Sequence, residues 1–476
     1  MVPQARALRS GDIAMARILQ RIRTPLLIVL VAISLWQFTI LMNQSQDTYR
    51  KVQAPEENAA STSLNQDPVR VIAPPRMIAH LPNGDLALLR SSSAYYQTIW
   101  STVLKGSLKT LEHLDPKDLT VVDKASWTFA EVGIDMILPA PISLKHFCEV
   151  LQIELIGEET NLPMVNRLYI SGYQNDYVIL EDGENHLVYR LPVPSQAEVI
   201  YNLLEVTQNS VYYALTEIDI TPYDFVATNP IYSYRQNPYV AARDSGKPIT
   251  LDLDVLAGRF FDDTAMIRSF TDISNAVIYY DGLRTMRLSE EEKVFPQLEL
   301  KQSAEQIGSD HQPIQAMSKK LNAMQLWPQT SEILFDGVEV GTNASAAYYT
   351  LVSNGRPIYM TEGNRNVLGT LQVESKGGLV TSLTITEPTL GASQRQFLSL
   401  SASYILWGVW NQWEIRFPDQ TQEEMPLRDI YEGFLFNENQ TQAQAVWIVE
   451  FYNGCKLFYN MMNGDYLGMQ AAVTNR

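Results

Sequence analysis

Cysteine is nearly absent, with only Cys148 and Cys455 in a chain of 476 residues. That count excludes a disulfide framework and a cysteine-built zinc site. Two arrangements stay open, a single bond joining distant parts or two separate buried thiols, since free cysteine packs as a small hydrophobe. Histidine is almost as scarce. The five residues His80, His113, His146, His186 and His311 stand singly, and only His146 lies near a cysteine, so no metal is expected.

Basic residues are in deficit as well, with 36 Lys and Arg against 53 Asp and Glu, for a formal net charge of −17. Nucleic-acid binding requires clustered cations, so that partner class is excluded. Nucleotide and catalytic signatures are missing too. There is no Walker A loop, no Gly-x-Gly-x-x-Gly after a strand, no His-Glu-x-x-His and no Gly-x-Ser-x-Gly. The reading is of a non-enzymatic protein without a cofactor.

What is present is ample apolar material. The chain is 46% hydrophobic and 10% aromatic, with 24 Tyr and 8 Trp, enough for packed cores rather than disorder. Its length implies two or three domains. Charge is unevenly placed: residues 1–23 hold Arg6, Arg9, Arg17, Arg21 and Arg23 against Asp12, which leaves −21 on the remainder. So acidic a body should stay soluble and avoid anionic surfaces.

One stretch is apolar enough to cross a bilayer. Pro25–Met42, PLLIVLVAISLWQFTILM, carries no charge and as a helix spans roughly 27 Å. Arg17, Arg21 and Arg23 precede it and no basic residue follows immediately, which places the N-terminus in the cytoplasm and the bulk outside the cell membrane. Leu41-Met42-Asn43-Gln44 supplies no small-x-small cleavage site, so the segment is expected to persist as an anchor. Leu27, Leu30, Ser34, Gln37 and Leu41 fall on one face of that helix as candidate contacts with a partner helix. Residues 44–66 are polar and read as a tether.

Beyond the tether the dominant signal is turns. Asn-Gly or Asp-Gly occurs at 83–84, 182–183, 281–282, 336–337, 354–355, 453–454 and 463–464, mostly between strand-like runs, and Gly377-Gly378 adds another. Such dipeptides suit the positive-φ positions of tight hairpins. Those at 83, 182 and 281 are evenly spaced, a hint of duplicated units. Helices are expected after Ser92 or Ser93, after the capping-box pair Ser195 and Glu198, across Gln315–Leu326 and across Gln394–Val409. Hairpins with interspersed helices indicate an α+β class. The organisation reads as a basic tail 1–23, an anchor 24–43, a linker 44–66 and three outer α+β domains, 67–165, 166–310 and 311–476.

Carboxylate pairs at Asp252/Asp254 and Asp262/Asp263 fail the EF-hand spacing, and a strand edge or a helix cap accounts for them. Trp407, Trp410 and Trp413 recur every third residue and are expected to pack against a sheet rather than to form a carbohydrate platform.

Four stretches resemble the YycH family, membrane-anchored accessory proteins of the WalK/YycG sensor histidine kinase system of Gram-positive bacteria. They are the single N-terminal span, VRVIAPPRMIAHLPNGDLALL with the following SSSAYYQTIWSTVL, GRFFDDTAMIRSFTDISNAVIYYDGLRTMRL, and the closing hairpins AVWIVEFYNGCKLFYNMMNGDYLG. The third carries the most specific pattern, at Phe260, Phe261, Asp263, Arg268, Tyr280, Asp281 and Gly282. The closing hairpins are of a type shared with the sister protein YycI and with PepSY-like modules. The resemblance implies a regulator that contacts the sensor kinase and a YycI-like accessory protein through its membrane helix and outer domains, in signalling linked to the cell wall. The alternative is a tethered protein that binds or processes wall fragments.

Overall fold

The computed structural model describes, a few isolated positions aside, residues 68–122, 132–157, 162–220, 230–235, 242–245, 260–261, 267–271, 276–289, 297–302, 332–340, 345–362, 366–376, 379–386, 390–394, 399–421, 425–437 and 443–472. These belong to one compact unit, Ser63–Arg476.

The first half builds a nine-stranded sheet, antiparallel throughout. In spatial order its strands are Tyr232–Tyr234, Tyr213–Glu217, Leu86–Arg90, Arg76–His80, Gly133–Ser143, Met164–Ser171, Val178–Asp182, Leu187–Leu191 and Thr120–Val122. One face is apolar, with Met77, Ala79, Leu89, Met136, Leu168 and Ile170 all buried. Three helices, α1 (Ala94–Gly106), α2 (Leu144–Leu151) and α3 (Ala197–Gln208), pack on that side. Helix α1 starts after Ser93, as the sequence indicates, and sends Ile99, Trp100 and Val103 into the core. Helix α3 departs from expectation at its start. Its N-cap is Gln196 at φ 59, and the Ser195 hydroxyl donates to the Gln174 carbonyl instead of capping.

The second half forms a 14-stranded sheet. A meander of Arg268–Thr271, Val277–Tyr280, Arg284–Ser289 and Gln297–Gln302 leads through Leu379–Thr386 and Leu371–Lys376 to Ser345–Ser353, which also pairs Glu332–Val340. From there six strands close on themselves: Arg356–Glu362, Asn366–Leu368, Tyr466–Gln470, Lys456–Asn460, Ala443–Phe451 and Leu427–Asn437. The last pairs in parallel with the first. Tyr359, Val367, Leu435, Val446, Ile448 and Phe458 pack together in this ring. Closure removes sheet edges, which protects the C-terminal strands from pairing with other chains.

Six of the seven Asn-Gly and Asp-Gly dipeptides join successive antiparallel strands, with Gly84, Gly282, Gly355, Gly454 and Gly464 at positive φ. The dipeptide Asp336-Gly337 is different. It lies inside the strand Glu332–Val340, where the register slips between Phe335 and Gly337, so it makes a bulge rather than a turn. Gly337 takes φ 148 there, and Asp336 is turned into the interior.

Two further expectations are corrected. The proposed division at 165/166 falls inside the strand Met164–Ser171, whose two sheet neighbours lie on either side of it in sequence. The division at 310/311 is crossed by pairing of Gln297–Gln302 with Leu379–Thr386. The described residues thus form two main sheets rather than three outer domains, because turn dipeptides mark local strands while non-local pairing decides which strands share a sheet. The helix expected at Gln394–Val409 is α4, Ala402–Asn411, and Gln394 instead ends the strand Leu390–Gln394. Of 315–326, only Met317, Ser318 and Leu321 are described, all helical and buried.

Candidate functional site

The stretch with the most specific pattern resolves into a pinned hairpin. Phe260 and Phe261 are buried with their rings edge to face at 4.9 Å. The Phe260 carbonyl accepts from Arg284 Nη1 at 2.7 Å, which ties the hairpin to the core. Asp281 Oδ1 accepts from the backbone N–H groups of Leu283 (2.9 Å) and Arg284 (2.7 Å), and Gly282 sits at φ 100. An aspartate that satisfies its own turn, followed by a residue free to take positive φ, is a local stop signal for the strand. Arg268 stands opposite Tyr280 on the neighbouring strand, and both are exposed. This pattern is therefore half core and half outward surface. Asp263 lies outside the described residues, as do the anchor positions Leu27, Leu30, Ser34, Gln37 and Leu41 and the topology arginines Arg17, Arg21 and Arg23. Among the described residues no helix is long and apolar enough to cross a membrane.

Sequence reasoning missed the charged seam where the two sheets meet. Register places Arg76, Arg90, Asp135, Arg167 and Glu181 on the face of the nine-stranded sheet opposite the helices, and all five are buried. Arg76 pairs with Asp429 and Arg90 with Glu432, each bond crossing from one sheet to the other. Arg428 reaches back to the carbonyls of Leu138 (2.6 Å) and Pro139 (3.3 Å) while holding Glu450 at 2.5 Å. Tyr234 donates to Glu432, and Tyr431 to Glu450 at 2.9 Å. At the mouth of the ring Asp336 accepts from Lys456 Nζ (2.5 Å), Gln470 Nε2 (2.8 Å) and Tyr359 Oη (2.9 Å).

Buried charges of this kind add little net stability over apolar residues, but stranding one of them is costly. Their effect is to specify one relative placement of the sheets, because any other leaves ions without counter-ions. Burial lowers the Arg76 guanidinium to about 10, still charged near neutrality. Burial also pushes Asp135 up to about 6, outweighing Arg167 at 3.3 Å. For Asp336 the balance is reversed. Burial raises it, but Lys456 and the three donors together hold it below the ordinary carboxylate value. A signal for these residues exists in sequence: isolated charges inside apolar strand runs, as in RMIAH, LRDIYEGFLF and VWIVEF.

A cavity of about 30 Å³ opens in the seam, lined among others by Arg76, Asp336, Arg428, Asp429, Tyr431 and Glu450. Small-molecule sites usually measure roughly 300–1,000 Å³, so this space suits a water or two. Cys148 and Cys455 are both buried free thiols, and burial pushes each up to about 12, which makes them inert packing residues rather than a bonded pair.

The tryptophan series divides. Trp413 is buried against Phe417 and Phe451, and its Nε1 donates to the Gln420 carbonyl. Trp407 and Trp410 instead face outward, 51% and 36% exposed, beside Tyr404 at 48%. The expected packing of all three on a sheet is thus corrected. Helix α4 ends at Gln412, whose backbone leaves the helical region (φ −110, ψ 9), and the short α5 (Trp413–Arg416) restarts with a different face inward.

Comparison with known proteins bears on these features. Residues 20–207 match the family described as YycH protein, N-terminal domain. Among solved structures, that of YycH from Bacillus subtilis aligns at 14% identity and a TM-score of 0.53, covering 84% of this chain and 95% of that one. At that identity the likeness establishes the sheet-rich α+β fold. An uncharacterized protein from Eubacterium rectale aligns at 12% identity and a TM-score of 0.30, over 52% of this chain and 89% of that one. No curated protein matches the chain.

Proposed function

Taking as premise that the chain belongs to the YycH family, as the match over residues 20–207 shows, we propose that it is a membrane-anchored regulator of a sensor histidine kinase of the WalK/YycG type. The family match is the observation that carries this reading, and the matched region takes in the apolar run Pro25–Met42 as well as most of the nine-stranded sheet. In this reading residues 25–42 span the cell membrane with the basic tail inside, and the outer body meets the kinase and a YycI-like accessory protein in signalling linked to the cell wall.

The mechanism needs no catalysis. A kinase's transmembrane bundle is a two-state element, and an added helix that packs better in one state shifts the population by its differential affinity. About 1.4 kcal/mol of difference, two or three good interhelical contacts, changes the ratio tenfold. The buried seam suits such a role, because a body whose sheets are locked together conveys the position of a bound partner to its tether without internal slack.

The test is co-purification of the kinase with the full-length protein in mild detergent, alongside a version in which residues 25–42 are an unrelated apolar helix. Retention by the native chain and loss on swapping places the contact in the membrane. Retention by both moves it to the outer body, and absence from both overturns the reading in favour of wall-fragment binding.

A further inference from the structure

We propose that the outward face of α4 is a docking surface for a basic, apolar segment of another protein. Tyr404, Trp407 and Trp410 lie along it, and Ile415 follows in α5 at 82% exposure. The turn at Asn463-Gly464 abuts Tyr404: a Cβ on Gly464 would meet the Tyr404 ring at 3.1 Å, which brings Met462, 43% exposed, to the border. Exposed Trp and Tyr clustered on a rigid element are the residue types that dominate binding energy at protein interfaces. A helix packed on the closed ring supplies that rigidity, since Ile405, Leu406 and Val409 are buried beneath.

Charge selects the occupant. Glu414 in α5, Asp419 just beyond it and Asp465, next to the Gly464 turn that meets Tyr404, are all exposed. Arg416, also in α5, is already engaged, stacked 3.3 Å from the Tyr466 ring centre and donating to Gln412 Oε1. Exposed carboxylates together with indole and phenol faces fit Lys or Arg side chains, which bind both to carboxylates and over aromatic rings. The same carboxylates, on a body of strongly negative charge, repel an anionic lipid surface.

The inference rests on the reading of the chain as an interaction protein, which the co-purification above tests independently. Its own test places a photo-reactive benzoylphenylalanine at Trp407 in the full-length, membrane-borne protein, with irradiation followed by mass spectrometry of the adducts. The expected product is a protein adduct whose linked peptide carries Lys or Arg beside apolar residues. Adding Glu414→Lys and Asp419→Lys should lower its yield at least about tenfold at low salt, the scale on which charge steering acts. An unchanged thermal midpoint of both variants shows that the surface alone was altered. A lipid or glycan adduct, a linked peptide without basic residues, no adduct, or a yield indifferent to the charge reversal overturns the proposal. Kinase retention together with any of those outcomes leaves the regulator reading intact and removes only this surface.

Discussion

Replacement of Lys456 by Met keeps the volume of the side chain and removes its charge. Lys456 is 1% exposed and its partner Asp336 2% exposed, so neither is rescued by solvent. In the variant Asp336 retains only the neutral donors Gln470 and Tyr359, and an uncompensated buried carboxylate costs about 3–5 kcal/mol. That is a large share of the roughly 5–15 kcal/mol that holds a typical domain together. The effect has a pH signature. In the native protein Asp336 is held below its unfolded value, so its stabilising contribution is complete above the unfolded carboxylate range and is lost as pH falls through the folded value. Without Lys456, burial dominates and the folded value rises. The penalty is then full at pH 8 and shrinks on acidification, by about 1.4 kcal/mol per pH unit below the new value. Urea unfolding of both proteins at pH 8 and pH 5, followed by tryptophan fluorescence, measures this. A cost below about 1 kcal/mol, or one that is the same at both pH values, refutes the account of the seam.

Two further outcomes follow from the geometry. His80 is buried between the edges of Tyr169 and Tyr232, and burial together with Arg167 lowers it to about 4. Its unfolded form binds a proton near pH 6.5 and the folded form does not, so stability falls as pH drops from 6.5 towards 4, by up to about 3 kcal/mol. His80→Leu should remove that part of the acid slope in equilibrium unfolding. A Cβ at Gly183 would lie 1.8 Å from Tyr452 and 2.2 Å from Asn166. Gly183→Ala should cost about 1–3 kcal/mol or more from overpacking. At Gly282 a Cβ meets nothing within 4 Å, so Gly282→Ala should cost only about 1–2 kcal/mol from its positive φ. A comparison of the two midpoints checks this order.

Much of the local structure was legible because its causes are local. The turn at Asp281-Gly282 needs only an aspartate that closes on its own backbone and a glycine that accepts positive φ. Helix α1 follows from the spacing of Ile99, Trp100 and Val103 after Ser93. Asp336-Gly337 shows the limit of such reading. The same dipeptide type makes a bulge there, because the residues on both sides of it pair with one strand, Ser345–Ser353, so the chain runs on through Asp336-Gly337 instead of reversing. The tryptophan series failed for a related reason. A period of three suits one helical face only while the helix continues, and the break at Gln412 turns Trp413 inward while Trp407 and Trp410 stay outside.

Composition and pattern by themselves determined the α+β class, the hairpins, the acidic body and the family resemblance, since each rests on residues close in sequence or on sums over the chain. The union of strands into two sheets, the closure of the C-terminal ring and the seam of Arg76–Asp429 and Arg90–Glu432 were decided only in three dimensions. Those pairs join residues more than 300 positions apart, and whether a charge on a strand is a solvated edge or half of a buried pair depends on what the rest of the chain brings opposite it.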